Sequence, residues 1–382
     1  MLSPDELERI PTEFQIIWNQ TERNILSDII KRIAMAREIT STADMQIYRL
    51  NAIGVSSEYI RQEIQRALKL SDGEIETLYS KTIKESYVRD KALYETNTSL
   101  YVPFEQNIQL QQLIEAVKEQ TRQEFLNITN TTGFRIIQNG KVTFTPLANY
   151  LQNTLDRAMV DLSSGAYDAT QIINKSITEL ANSGIRTVDY ASGKTDSIEV
   201  VVRRAVMTGS NQISNYINEF NAEKLNTDLF EVSWHKTARP THQVWQGRVY
   251  SREDLISVCG LGDVTGLNGA NCYHSYHPFI EGVSKRMYTD EELDKMNAEE
   301  NKQKEFNGKL YTSYEATQEM RRMERAMRKA KKKLHLQEVA EVSKEDINAT
   351  KARYRLWNTQ YKEFAKAMGL PEQRQRIYVG GR

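Results

Sequence analysis

The chain has 382 residues, more than one hydrophobic core usually organises, so two or three folding units are the starting expectation. With 39% apolar and 27% charged residues, and 51 basic side chains balanced by 51 acidic ones, it is neither disordered throughout nor strongly basic, and any contact with nucleic acid has to be local. Only 18 Gly and 7 Pro, beside abundant Gln, Glu, Ala, Ile and Leu, favour long helices over sheet.

The opening MLSPDELERIPTEF is charged from Asp5 onward and lacks the order of a secretion signal, so export by that route is not expected. No stretch approaches the roughly 20 consecutive apolar residues of a membrane span. Apolar residues recur at helical spacing from Thr21 to Ile39 (Ile25, Ile29, Ile33, Ala36) and again from Ser57 to Leu70 (Tyr59, Ile60, Ile64, Ala67, Leu68). Ser71-Asp72-Gly73-Glu74 reads as a breaker followed by a helix start, which opens a helix from Glu74 to about Thr96. Another helix is expected from Phe104 to Leu126, with Leu110, Leu113, Ile114 and Val117 forming a stripe that has to be buried. After a polar, Gly-containing stretch from Asn127 to Gly140, helices resume at Pro146–Leu162 and Ala169–Ser183. Residues 1–184 therefore read as a bundle of helices.

The texture then changes. Ile185 to Val202 alternates around Ser192-Gly193-Lys194, as a hairpin does, although a helix could equally begin at Ser197. Thr208–Leu225 is helical by pattern, and Leu229–Trp234 suggests a short strand with Phe230, Val232 and Trp234 on one side. Glycines at 260, 262, 266 and 269 point to a compact, loop-rich unit over roughly 228–282. Beyond Thr289 the chain returns to charged helix, first acidic (TDEELDKMNAEE), then basic (RRMERAMRKAKKK).

Four of the five histidines, His235, His242, His274 and His277, and both cysteines, Cys259 and Cys272, fall between positions 235 and 277. Two thiols cannot staple so long a chain, so a reducing setting and a metal role are simpler than a disulfide framework. In an extended stretch Cys272 and His274 point to the same side, and His277 can return after a bend. Thiolate and imidazole are the donors zinc prefers, usually four in a tetrahedron, so His235, His242, Cys272, His274 and His277 are the candidate ligands, with Cys259 in reserve. The competing reading is a hydrogen-bonded polar cluster that organises a loop-rich core. A second rival is a metal-dependent hydrolase or nuclease using the same histidines, because His242, Asn268 and His277 follow the order of a small nuclease site, although the stretch before His242 (WHKTARPT) lacks the acidic residue such sites place beside the base. Arg239-Pro240 forms a rigid extended turn between two histidines, and Trp245 reads as a core anchor.

The blocks His235-Lys-Thr-Ala-Arg239-Pro240-Thr-His242-Gln-Val-Trp245-Gln246-Gly247, Cys259-Gly260 and Gly269-Ala-Asn271-Cys272-Tyr-His274, ending in His277-Pro278-Phe279, occur in one order. Together with Val188 to Gly193 and Thr208 to Gln212, they resemble the signature of phage minor capsid proteins, which are minor head proteins distantly related to the Mu F-type head morphogenesis proteins. The resemblance covers roughly residues 185–282. It implies a non-enzymatic, low-copy component of a tailed-phage virion at the portal vertex inside the head, made in the host cytoplasm. It also implies partnership with the portal protein and with the major capsid or scaffolding protein, and contact with packaged double-stranded DNA. Relatives of the Mu F type often have Asn-Cys-Arg-Cys where this chain has Asn271-Cys272-Tyr273-His274, and a Cys in the place of His274 is what a zinc ligand would allow.

Between Arg321 and Lys333 eight of thirteen residues are basic (Arg321, Arg322, Arg325, Arg328, Lys329, Lys331, Lys332, Lys333) and only Glu324 is acidic. One acid cannot neutralise this run, so it is expected to favour an outside polyanion unless the acidic stretch at 290–300 covers it. Met320, Met323 and Met327 share a face of the same helix and suit a buried stripe. The whole reads as an α+β, predominantly α-helical protein with a helical region at 1–184, a small loop-rich module at 185–282 and a charged helical region at 283–382.

Overall fold

The computed structural model describes residues 4–91, 94, 101–138, 140–189, 192–269 and 271–378. Helices dominate, and the sheets are small and antiparallel, as the composition predicts. A short helix α1 (Pro4–Arg9) leads into α2 (Thr12–Met35), which is nearly the core of the body: Phe14, Trp18, Ile25, Leu26, Ile29, Ile30 and Ile33 are all buried along it. Helix α3 (Thr42–Glu76) packs on α2 and starts at Ser41, whose hydroxyl accepts the Asp44 amide at 3.1 Å.

The expected break at Ser71–Gly73 is absent, because tertiary contacts override the local signal. The Ser71 hydroxyl is buried and accepts the Trp18 indole N–H at 3.1 Å, while Asp72 and Glu76 are held by Arg122. The disturbance comes later, as a π-helical turn at Thr77–Thr82 before α4 (Ile83–Arg89). The predicted end of this segment near Thr96 lies outside the described residues. Helix α5 (Ile108–Asn130) begins at Asn107, whose side chain accepts the Leu110 amide, and it buries Leu110, Ile114 and Val117 as the stripe requires.

The first half is not wholly helical. The polar stretch after α5 forms β1 (Thr132–Gln138), paired with β2 (Lys141–Pro146) from Gly133↔Pro146 to Gln138↔Lys141. Phe134 and Ile136 turn inward, a period-two pattern. Helices α6 (Leu147–Ser163) and α7 (Ala169–Ser183) follow. Then β3 (Arg186–Val188) and β4 (Thr195–Ser197) complete a sheet of order β2-β1-β3-β4. Hairpin and helix, the two readings of residues 185–206, are both present in succession, since α8 (Ile198–Leu225) starts directly after β4.

Helix α8 begins in the large N-terminal core (Ile198, Val202, Val206, Ile213, Ile217) and ends in a second, smaller core (Ala222). It stops at Asn226, which adopts the left-handed conformation (φ 51°). The second core belongs to a three-stranded sheet, β5 (Leu229–Val232) between β6 (Val249–Ser251) and β7 (Tyr276–Phe279), with the short helices α9 (Pro240–Gln243) and α10 (Arg252–Ser257). Helix α11 (Asp290–Asn301) and the hairpin β8 (Lys304–Phe306)–β9 (Lys309–Tyr311) lead to two long antiparallel helices, α12 (Ser313–Val339) and α13 (Lys344–Met368). Met320, Met323 and Met327 pack on Tyr361, Phe364 and Met368 in a third core, whereas the far end of α12 (Leu336, with Ala340 just past the helix) sits in the first.

Candidate metal site and its surroundings

Proline sets the start of α9: Pro240 occupies the first turn, where its missing N–H is harmless, and Arg239 before it is extended (φ −61°, ψ 148°). Two residues later His242 is buried beside the second core. Cys272 and His274, two residues apart on the extended segment that enters β7, project to the same side and meet it. The loop between them is compact because glycines lie against one another, and a Cβ on Gly266 would stand 2.0 Å from the Gly260 carbonyl oxygen.

Three donor atoms converge. Nδ1 of His242 is 3.4 Å from Nδ1 of His274, and Sγ of Cys272 is 3.8 Å and 3.4 Å from them respectively. All three side chains are buried, at 2%, 3% and 1% exposure for His242, Cys272 and His274. Trp245 closes one wall, its ring 4.5 Å from that of His242 and 4.7 Å from that of His274. The Trp245 anchor read from the sequence therefore packs on the site itself.

The tautomers follow from the neighbours. Nε2 of His242 lies 2.8 Å from the Thr265 carbonyl oxygen, which can only accept, so Nε2 carries the proton. Gln246 presents Oε1 to the His235 backbone N–H at 3.2 Å, which fixes its amide, and the same oxygen lies 3.0 Å from Nε2 of His274. Gln246 Nε2 donates to Asn297 on α11, whose own Nδ2 donates to the Gln243 carbonyl. Both imidazoles are thus protonated at Nε2, and two lone pairs face each other across 3.4 Å beside a thiol that has one proton to share. Burial keeps both imidazoles below their ordinary value of 6.5, His274 furthest, and pushes the Cys272 thiol up. Two Nδ1 lone pairs and a sulfur, backed by hydrogen-bonded outer partners, fit the donor set and support of a zinc ion.

The other sequence candidates lie elsewhere. His235 packs against His274 with ring centres 4.1 Å apart and planes tilted by 42°, but its Nδ1 is 2.8 Å from the Lys236 carbonyl oxygen, and it is not one of the converging donors. His277, on β7, turns to Glu231 of β5, with Nε2 3.3 Å from the carboxylate. Cys259 is buried in the same core, its thiol pushed up to about 12 by burial, without joining the cluster. Asn268 has a left-handed backbone (φ 59°) and bonds to Asn215 and Asn211 of α8, so the order His242, Asn268, His277 does not become one constellation. Gln246 stood in the signature without a role, and the Thr265 carbonyl carries no sequence signal.

The basic run on α12 is divided. Arg328 pairs with Glu199 of α8, and Lys332 with the buried Glu22 of α2. Arg322 bonds Glu319 and lies over Trp357, and Lys331 lies over Tyr354 and Tyr378. Acids and aromatic rings from other elements meet charges that the run's one internal acid could not. The acidic helix α11 does not: Asp290 and Asp294 pair with Arg248, and Asp290 also with Arg286.

Fold and site define a predominantly helical α+β protein built around a buried His/Cys/His cluster. The chain belongs to the phage minor capsid protein 2 family, whose sequence profile matches residues 2–366. A curated relative from Lactococcus phage LL-H, described as "Structural protein", is 21% identical over 308 residues, covering 75% of this chain and 80% of the relative. No solved structure matches the chain. It is therefore a bacteriophage structural protein associated with the virion, and among the described residues no helix is long and apolar enough to cross a membrane.

Proposed function

We propose that the chain is a low-copy component of the phage head, seated inside it at the portal vertex and acting in head assembly, with the portal protein and the major capsid or scaffolding protein as partners. Family membership over residues 2–366 carries this reading. The helical body faces the portal in this proposal. Ile47 and Leu50, one turn apart on α3, are 62% and 61% exposed, more than a helix in a closed bundle needs to leave open. The test is co-purification with portal oligomers of the same phage. Ile47→Asp with Leu50→Asp should abolish association while leaving melting unchanged, and association equal to that of the parent would put the docking surface elsewhere.

In the same proposal one zinc ion is held by His242, Cys272 and His274, where it locks the loop-rich module, and packaged DNA is met by the outer face of α12. One observation favours a second reading, a metal-dependent hydrolase: three donors rather than four converge, beside a cavity of 530 Å³ lined in part by His242, Cys272 and His274. Divalent-dependent DNA cleavage that is lost in His242→Ala would establish it.

A further inference from the structure

Three arginines far apart in the sequence gather around one phenol. Arg203 of α8 donates to the Tyr273 hydroxyl, and its Cζ stands 5.1 Å from the centre of the Tyr273 ring. Arg376, in the C-terminal 3-10 turn at Arg374–Ile377, lies within electrostatic range of the same phenol and donates through Nη2 to Glu8 at 2.9 Å. Arg321, from the first half of α12, lies within electrostatic range of Arg203, Arg376 and Tyr273. The Nε–H groups of Arg321 and Arg376 are buried and have no acceptor.

The charges here do not balance. Glu8 serves Arg376 and is 42% exposed. Glu324, the other acid in range of Arg321 and Arg376, is buried, accepts the Tyr361 hydroxyl at 2.9 Å, and has its pKa raised by burial, which makes it a poor counter-ion, and Glu199, which borders the same cavity as Arg203, is paired with Arg328. Among the described residues no carboxylate forms an ion pair with Arg203 or Arg321. Half-buried guanidiniums gathered without counter-charge repel one another and leave donors unmet, and an anion removes both penalties.

The geometry points to an oxyanion site at this junction, taking a phosphate group between Arg203, Arg321 and Arg376. Phosphate suits it for two reasons. A dianion offsets both uncompensated cations where a carboxylate offsets one, and its several oxygens accept from guanidinium forks of different orientation. There is room on either side: Arg203 and Arg376 border a cavity of 510 Å³, Arg321 and Tyr273 border that of 530 Å³, and Glu8 borders both. Because the arginines come from α8, α12 and the C-terminal turn, an occupied site ties those three elements together. The phosphate is either a free anion or a backbone phosphate of a polynucleotide.

Calorimetric titration of the full chain at low salt with inorganic phosphate and with pyrophosphate tests the site, alongside thermal melting in the same anions. Binding and a raised melting temperature are expected in the parent. Arg321→Gln and Arg376→Gln should each weaken binding about tenfold or more, while Arg325→Gln, exposed on the same helix, should bind as the parent does. Arg321→Lys, which keeps the charge and loses the fork, supplies the comparison if the Gln variant melts early, and it too should bind more weakly. Absence of heat and thermal shift with both anions, or undiminished binding in the Arg321 and Arg376 variants, overturns the proposal. Displacement of pyrophosphate by an oligothymidylate in the parent identifies the backbone phosphate as the ligand, and failure to displace identifies the free anion.

Discussion

At the scale of single residues, the site turns on which nitrogen of each histidine holds the proton. Thr265 and Gln246 hold both Nε2 protons outward, so both Nδ1 atoms present lone pairs to the same point. Replacing Gln246 by Leu removes that restraint on His274 without touching a donor atom. If zinc is bound as proposed, Gln246→Leu should weaken it by about tenfold to a hundredfold in competition with a chromophoric chelator, and Cys272→Ser should bring metal content near zero. Equal affinity in the Gln246 variant would mean that the ring is oriented by packing on Trp245 instead. His335, the histidine outside the module, supports a second prediction. It sits between α12 and α2, its Nε2 2.7 Å from the Ser27 hydroxyl, and burial together with Arg23 holds its pKa below 6.5. The unfolded chain takes up a proton near 6.5 that the folded chain refuses, so the stability contributed by the neutral ring is complete above 6.5 and is lost as pH falls below it. His335→Gln should therefore narrow the difference in melting temperature between about pH 7.5 and about pH 5.5, and an unchanged difference would show that the ring titrates freely. Of the donors that converge, His242, Cys272 and His274 were all legible as rare residues in one short span. What the sequence could not supply was the direction of each ring: His277 alternates to the Glu231 side of β7, and His235 is turned by its own neighbour's carbonyl.

At the scale of elements, long helices were legible from periodicity, and Ala169–Ser183 falls where its pattern puts it. Two failures have opposite causes. The hairpin β1–β2 lies within a helical texture that masks it, although Phe134 and Ile136 alternate, and the Asn307-Gly308 turn of β8–β9, with φ of 51° and 76°, is a hairpin signal submerged in charged sequence. The expected break at Gly73, conversely, was a true local weakness overruled from a distance by Trp18 and Arg122. That gives a contrast between two helical glycines. A Cβ at Gly73 meets nothing within 4 Å, so Gly73→Ala should stabilise the protein by about 1 kcal/mol through helix propensity alone. A Cβ at Gly209, inside α8, would come within 2.2 Å of the Tyr79 hydroxyl and 2.9 Å of a Val117 methyl, so Gly209→Ala should destabilise by about 1–3 kcal/mol. Denaturant midpoints of the two variants on either side of the parent would bear this out, and a stabilised Gly209 variant would mean that the helix pair α5–α8 can part without loss.

At the scale of the whole molecule, α12 is a rod that belongs to two cores, its methionines packed on α13 and its far end in the helical body. This double membership explains why a run of eight cations survives in a chain of zero net charge. Arg328 and Lys332 face inward, where Glu199 and Glu22 meet them, and losing either partner would leave the other charge half-buried. Arg322, Arg325, Lys329 and Lys333 recur three and four residues apart and so share a neighbouring stripe about a quarter turn further round, with Arg325 and Lys329 exposed and in no ion pair among the described residues. Contact with DNA, if made as proposed, has to use that outer stripe and not the full run. Neutralising Arg325, Lys329 and Lys333 together with Gln should then lower the slope of log affinity against log salt by about 2–3 units, since each phosphate contact contributes about 0.9. Arg328→Gln should leave the slope alone and lower the melting temperature, because its charge is spent on Glu199. A slope that falls equally in both variants would mean that α12 leaves its ion pairs to bind the polyanion, and a slope unchanged in the triple variant would move DNA contact away from this helix altogether.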